Sequence, residues 1–199
     1  MVLPQWDASV TVDAVQPNMS GELDSDLRMQ PWIENYDHLQ IEPGDWESAV
    51  RTIQAERTLI DEADKASDSP ADFEHHISTA QGGAEWYGLD LGVAGLVMAL
   101  NAAGFATASS CRQHVGVLGF GEYPFVSATG DLERIAALTP LVQSAGAGMS
   151  QAAPGQGFGI YANTVRELMK LAELIVKARP AFDTIPETIG WNSTCEEYG

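Results

Sequence analysis

The chain has 199 residues, 45% of them hydrophobic, and a formal net charge of −18. That length accommodates one ordinary core rather than two full domains, and the lack of clustered Lys and Arg makes nucleic acid a disfavoured partner. No apolar run spans a membrane, the start Met1-Val2-Leu3-Pro4 lacks the regions of a secretory signal, and Cys111 and Cys195 form no CxxC pair, so the expectation is a cytoplasmic chain with reduced thiols, no cysteine metal site and no membrane partner.

The acidity is uneven. Residues 1–80 hold 17 acidic and 4 basic residues, residues 81–180 hold 7 and 6, and residues 181–199 hold 4 and none. The middle is therefore nearly neutral, between two acidic ends. Such ends serve solubility or a salty cytoplasm, or they dock on a basic protein partner.

From Met1 to Pro43 no period is sustained and Pro4, Pro17, Pro31 and Pro43 interrupt the chain. Trp6, Trp32, Ile33, Tyr36 and Leu39 are too many large apolar groups for a disordered tail, which predicts an irregular arm over 1–43 packed on the domain. Asp45 is a good N-cap for a helix over 45–67, with Trp46, Ala49, Val50, Ile53, Ile60 and Ala63 as its apolar stripe. Asp68-Ser69-Pro70 breaks it, and 78–83 reads as a loop. The run 91–103 reads as a mostly buried helix closed by Gly104 at the position after the C-cap. A strand over 105–110, a loop from Cys111 to Tyr123 and a second strand over 124–129 follow.

Asp131 caps a helix over 132–145, which Pro140 is expected to kink or divide and Gly146 to close. Strands over 148–152 and 158–162 flank the turn Pro154-Gly155-Gln156-Gly157. Thr164-Val165-Arg166-Glu167 fits a capping box opening a last helix to Ala178, and Arg179-Pro180 stops it. The stretch from Ala102 to Ser109 aligns with that from Ser144 to Gln151, suggesting a duplicated helix-strand-strand unit. The expected fold is α+β: a four-stranded antiparallel sheet from two such units, in the order of a circularly permuted ferredoxin-like pattern, with helices on one face. A single domain over 44–180, its core over 90–178, would carry the arm and an acidic tail over 181–199.

The concentrated chemical signal is Ser109-Ser110-Cys111-Arg112-Gln113-His114 at a predicted strand end. A thiol beside a guanidinium and three residues from an imidazole has the parts of an activated nucleophile, with Cys111, Arg112 and His114 as candidate catalytic residues. The same residues serve binding: the hydroxyls of Ser109 and Ser110, a turn with Gly116, Gly119 and Gly121 nearby, and Arg112 make an anion or nucleotide cradle, lined from Tyr87, Asp90 and Glu122. In the plainest alternative, the serines bond the turn backbone, Cys111 is a small buried hydrophobe and His114 is a loop residue. Binding of a small molecule, with or without catalysis, is the favoured reading. The other is a non-enzymatic module whose acidic arm holds a basic protein.

The order helix, Ala-Ala-Gly, strand, Ser109-Ser110-Cys111 resembles the Ser-Ser-Cys-Ser-Gly-Arg segment of the wybutosine-synthesising methyltransferase family, which modifies tRNA. The likeness spans residues 90–178 at most, and only Ser109, Ser110 and Cys111 carry over. Gln113 and His114 stand where the family has Gly and Arg. It is also similar to bacterial proteins with a Ser-Cys-x-Gly turn. The resemblance implies a site at this turn and S-adenosylmethionine as cofactor.

Elsewhere, His75-His76 with Asp72 and Glu74 reads as a solvated helix end rather than a metal site, because adjacent histidines on a helix diverge. Asp61, Glu62 and Asp64 read as a solvated helix face. Trp86 and Tyr87 line a pocket or the core edge, and Cys195 lies in the tail.

Overall fold

Evenly spaced residues of one helical face start the described chain. Positions 46, 49, 53, 56, 60 and 63 recur at alternating intervals of three and four, the signature of one buried helical stripe. The computed structural model, which describes residues 44–81, 88–112, 123–151 and 157–186, shows helix α1 over Trp46–Ala66 with those residues buried. Asp45 caps it by accepting the Ser48 N–H at 2.9 Å.

The break at Asp68-Ser69-Pro70 begins another helix, α2, over Pro70–Gln81. Part of the expected loop, residues 78–81, is thus helical. Proline suits a first helical turn, whose N–H groups have no partner within the helix, and Ser69 Oγ accepts the Asp72 N–H at 3.1 Å. The remainder of that loop, the arm over 1–43, the loop over 113–122, residues 152–156 and the chain beyond 186 lie outside the described residues.

Helix α3 runs over Ala94–Ala102, shorter than the expected 91–103 because Gly92 takes φ +103° just before it. Strands β1 (Ala106–Cys111) and β2 (Phe125–Thr129) follow, then α4 (Leu132–Ala145) capped by Asp131. Pro140 sits inside α4 without dividing it. Pro140 and Ala136 are both exposed, so the carbonyl deprived of its N–H partner lies on the solvent side. Strands β3 (Gly148–Gln151) and β4 (Phe158–Tyr161) precede α5 (Val165–Lys177), which opens on the expected capping box of Thr164 and Glu167. A further helical turn, α6 (Arg179–Phe182), follows α5.

The strands form an antiparallel sheet in the order β1-β2-β4-β3, the order that circular permutation of the ferredoxin-like pattern requires. The internal duplication is visible in the turns. Gly104 and Gly146 both take left-handed φ, +84° and +86°, and the Phe105 N–H to Leu100 carbonyl bond after α3 recurs after α4 between Ala147 and Val142. The described helices pack on one face of the sheet, around Phe105, Val126, Ile135, Leu138, Phe158, Ile160 and Leu168. Phe182 and Ile185 join this core, and Trp46 donates its indole N–H to Asp183 at 2.9 Å, tying the two ends of the described chain together. None of the described helices is long and apolar enough to cross a membrane.

Two buried charged residues organise the packing. Glu56 occupies a stripe position of α1, fully buried, and its carboxylate accepts the N–H groups of Gly92 at 2.7 Å and Gly95 at 3.3 Å, capping α3 from another helix. Burial pushes its carboxyl up to about 7, against the opposing pull of the N–H groups of Gly92, Gly95 and Ala94. Arg134 bonds the Ala103 carbonyl at 3.0 Å, those of Ile185 and Pro186 at 3.2 and 3.0 Å, and the Asp131 carboxylate. A Cβ on Gly104 would lie 2.6 Å from Arg134 Nε, so glycine serves there for close approach as well as for its backbone angle.

Candidate functional site

Strand β1 reads Ala-Thr-Ala-Ser-Ser-Cys, and side chains on a regular strand alternate between faces. Thr107 pairs with Ala128, but Ser109 pairs with Ser127, leaving Ala108 as an extra residue. This bulge resets the alternation. Without it Ser109 and Cys111 would point at the helices. With it they join the opposite face.

The register resolves two complete rows on that face, the one opposite the described helices. One is Cys111, Phe125, Tyr161 and Gly148; the next is Ser109, Ser127, Gly159 and Ser150. The intervening row, Ser110, Val126, Ile160 and Met149, faces the helices, and its last three members are core residues. The Ser-Ser-Cys turn is therefore divided: Ser109 and Cys111 on the outer face, Ser110 on the inner one.

Arg112 also turns toward the helices. Its guanidinium donates to Glu74 at 2.6 Å and Ser78 at 3.2 Å on α2 and lies 3.9 Å from Asp90, while its backbone N–H donates to Asp90 at 3.2 Å. Only 5% of the side chain is exposed. Arg112 and Asp90 together fasten the end of β1 to α2 and to the entry of α3. Cys111 is buried and in no disulfide, sharing its row with Phe125. His114, Tyr87 and Glu122, named from sequence for this site, lie outside the described residues, as do Trp86 and Cys195.

The outer rows are built from small and aromatic residues. Ser109 and Ser127 hydroxyls meet at 2.8 Å, and the Ser109 N–H at the bulge donates to Ser127 Oγ at 3.1 Å. Phe125 and Tyr161 are half-buried neighbours whose ring centroids are 6.3 Å apart with planes at 32°. Rings so spaced and tilted lie beside each other rather than stacked face to face. A Cβ on Gly159 would meet Tyr161 Oη at 2.7 Å and Cζ at 2.8 Å, so the phenol lies back along its strand, flat over that glycine. Glycine there permits the flat ring. The four strands carry no Asp, Glu, Lys or Arg. Among the described residues this face is a tray without charged side chains, with an aromatic pair, hydroxyls along one row and the buried Cys111 at one end.

Other polar groups are placed elsewhere. His75 and His76 are exposed on α2 with rings 6.1 Å apart, and among the described residues no three of His, Cys, Asp and Glu gather to hold a metal ion. Asp61 and Asp64 are paired rather than simply solvated, since Arg166 of α5 reaches both, Asp61 at 2.7 Å, and its bond lowers the Asp61 carboxyl below the usual range.

The sequence pattern missed Phe125 and Tyr161 because alternation alone marks them as ordinary strand aromatics; only the pairing of β2 with β4 brings them together. Glu56 did leave a signal, an acidic residue at an apolar stripe position. Fold and site define an α+β protein whose described helices pack on one face of an antiparallel sheet, the strands of which carry no charged residue. No protein-family model, curated protein or solved structure matches the chain.

Proposed function

We propose that the sheet face opposite the described helices is a small-molecule-binding surface, with Phe125 and Tyr161 as the floor for a planar ring and Ser109, Ser127 and Cys111 at its border. The observation that carries this reading is the pair of neighbouring, partly exposed rings on strands without a charged residue, in a chain whose net charge is −18. Partly exposed aromatic rings on the central strands of a sheet gain by stacking, and the hydroxyl row supplies donors and acceptors that fix a ring's orientation. Nucleosides and other heterocycles fit that chemistry. Covalent chemistry at Cys111 would add to this surface and is not needed for it.

Neither ring belongs to the core cluster, so both can be truncated in a folded protein. Binding of adenosine is followed by saturation-transfer NMR on the full chain, the Phe125→Ala and Tyr161→Ala variants and their double variant. Each single change is expected to weaken binding roughly fivefold to a hundredfold, the usual scale for removing one stacking ring. Wild-type affinity retained in the double variant would refute the site.

A further inference from the structure

We infer that the buried carboxyl of Glu56 is a pH-operated latch: neutral, it holds the entry of α3 against α1, and on losing its proton it lets that entry open locally while the rest of the core stays folded. The latch is independent of the binding reading above.

Glu56 stands on the buried stripe of α1 among apolar residues and is itself fully buried. Both its oxygens meet backbone N–H groups of the α3 entry, from Gly92 at 2.7 Å and Gly95 at 3.3 Å. Glycine is needed at both points. A Cβ on Gly95 would lie 2.6 Å from Glu56 Oε2, and one on Gly92 would lie 2.8 Å from Val165 Cγ1 at the start of α5. Gly88 and Gly92 take left-handed φ, +71° and +103°, so the entry turns on two glycines. Gly92 and Gly95 have no side chain to seat in the core, which leaves the Glu56 bonds as their polar tie to α1.

Among the described residues no cation offsets the buried charge. Helix α3 carries no ionisable side chain. Asp90 in the entry and Glu74 on α2 are held by Arg112, Arg57 of α1 pairs with Glu173 of α5, and Arg166 of α5 pairs with Asp61 and Asp64 of α1. Glu167 caps its own helix, and Glu47, Arg51, Glu62, Lys65, Asp72, His75, His76, Lys170 and Lys177 are exposed.

The ionised carboxylate keeps both hydrogen bonds but leaves a charge out of water without a counter-ion; the neutral acid keeps one acceptor and no charge. Burial outweighs the N–H groups and pushes the carboxyl up to about 7. Opening gives the carboxylate to water, so proton loss favours opening. Leu91 and Val93 are buried on either side of Gly92, which keeps the open form a minor one, and hydrogen exchange counts minor openings. Asp90 belongs to the same entry and accepts the Arg112 N–H at 3.2 Å, so the opening reaches the end of β1.

Amide hydrogen exchange of the full chain is followed at about pH 5 and about pH 8, with and without low urea, as protection factors that divide out the intrinsic pH dependence. At Gly92 and Gly95 protection is expected to fall roughly thirtyfold to a hundredfold between the two, the ratio set by a carboxyl at about 7 when closed and 4.5 when open. Low urea should leave exchange at these amides unchanged, while Val126 and Ile160 stay more protected and exchange faster with urea. Glu56→Gln should remove the pH effect at Gly92 and Gly95. Equal protection and equal urea response at the entry and the sheet would overturn the latch, because Glu56 would then reach water only when the whole fold opens; this comparison needs no variant. No fall with pH in the wild type would overturn it too. So would a fall that persists in Glu56→Gln, which would assign the effect to another group such as His75 or His76.

Discussion

Replacing Glu56 with alanine is expected to cost about 3 kcal/mol of stability, because two buried N–H groups at the start of α3 lose their acceptor and a cavity opens between α1 and α3. Glu56→Gln should cost less, about 1–2 kcal/mol, since one carbonyl acceptor remains while an amide donor is turned toward an N–H group. The carboxylate also sets a pH dependence. Its folded pKa, about 7, lies above the 4.5 of an unburied glutamate. The folded state therefore holds this proton more tightly than the unfolded chain does, and the contribution to stability falls as pH rises from about 4.5 to about 7 and is fully lost above that. The loss is on the order of 3 kcal/mol over that window, at about 1.4 kcal/mol for each pH unit between the two values. Urea unfolding at a series of pH values should show this decline in the wild type and its absence in Glu56→Gln. Parallel curves for the two proteins would show that Glu56 does not titrate as described.

Arg134→Ala is expected to be the more damaging change, about 3–5 kcal/mol, because it strips the buried Asp131 carboxylate of its cation. The same guanidinium holds the turn after α3 through the Ala103 carbonyl and the last described residues through Ile185 and Pro186. Loss should therefore be read in two places. Denaturation gives the total, and amide hydrogen exchange should show residues 182–186 deprotected beyond the rest of the core. Arg134→Lys should recover only part of the stability, since one ammonium cannot reach carbonyls on both sides and a carboxylate as a planar fork does. Full stability in the lysine variant would mean that charge, and not the fork, is what matters.

The architecture was legible in the sequence where local rules were strong. Asp45, Asp131 and the Thr164-to-Glu167 box announced helix starts, Gly104 and Gly146 announced helix ends, and their repetition predicted two helix-hairpin units. Pro70 misled because proline ends one helix and opens another with equal ease, and local sequence does not say which. Pro140 misled for a related reason: on an exposed helical face the lost bond is supplied by water.

The site was legible in location but not in composition. The run from Ser109 to Arg112 does lie at a strand end, yet a single bulge at Ala108 decides which of its members share a face, and nothing in Ala-Thr-Ala-Ser-Ser-Cys marks that bulge. Neighbours in sequence were separated by the pleat, Cys111 from Ser110 and Arg112. Residues far apart in sequence, Phe125 and Tyr161, were brought together by the β2-β4 ladder. Charge at Arg112, read from sequence as available to a ligand, goes to carboxylates contributed by α2 and the entry of α3. Long-range pairing, which short motifs do not encode, makes each of these decisions.

The most direct measurement of the central claim is a backbone amide chemical-shift map of the full chain titrated with adenosine. Binding on the tray predicts that the largest shifts gather at Ser109, Cys111, Phe125, Ser127, Gly159 and Tyr161, the two outer rows, with Val126 and Ile160 following only as their neighbours. Shifts gathered instead on α2 and around Arg112 and Asp90, with the outer rows unmoved, would contradict it.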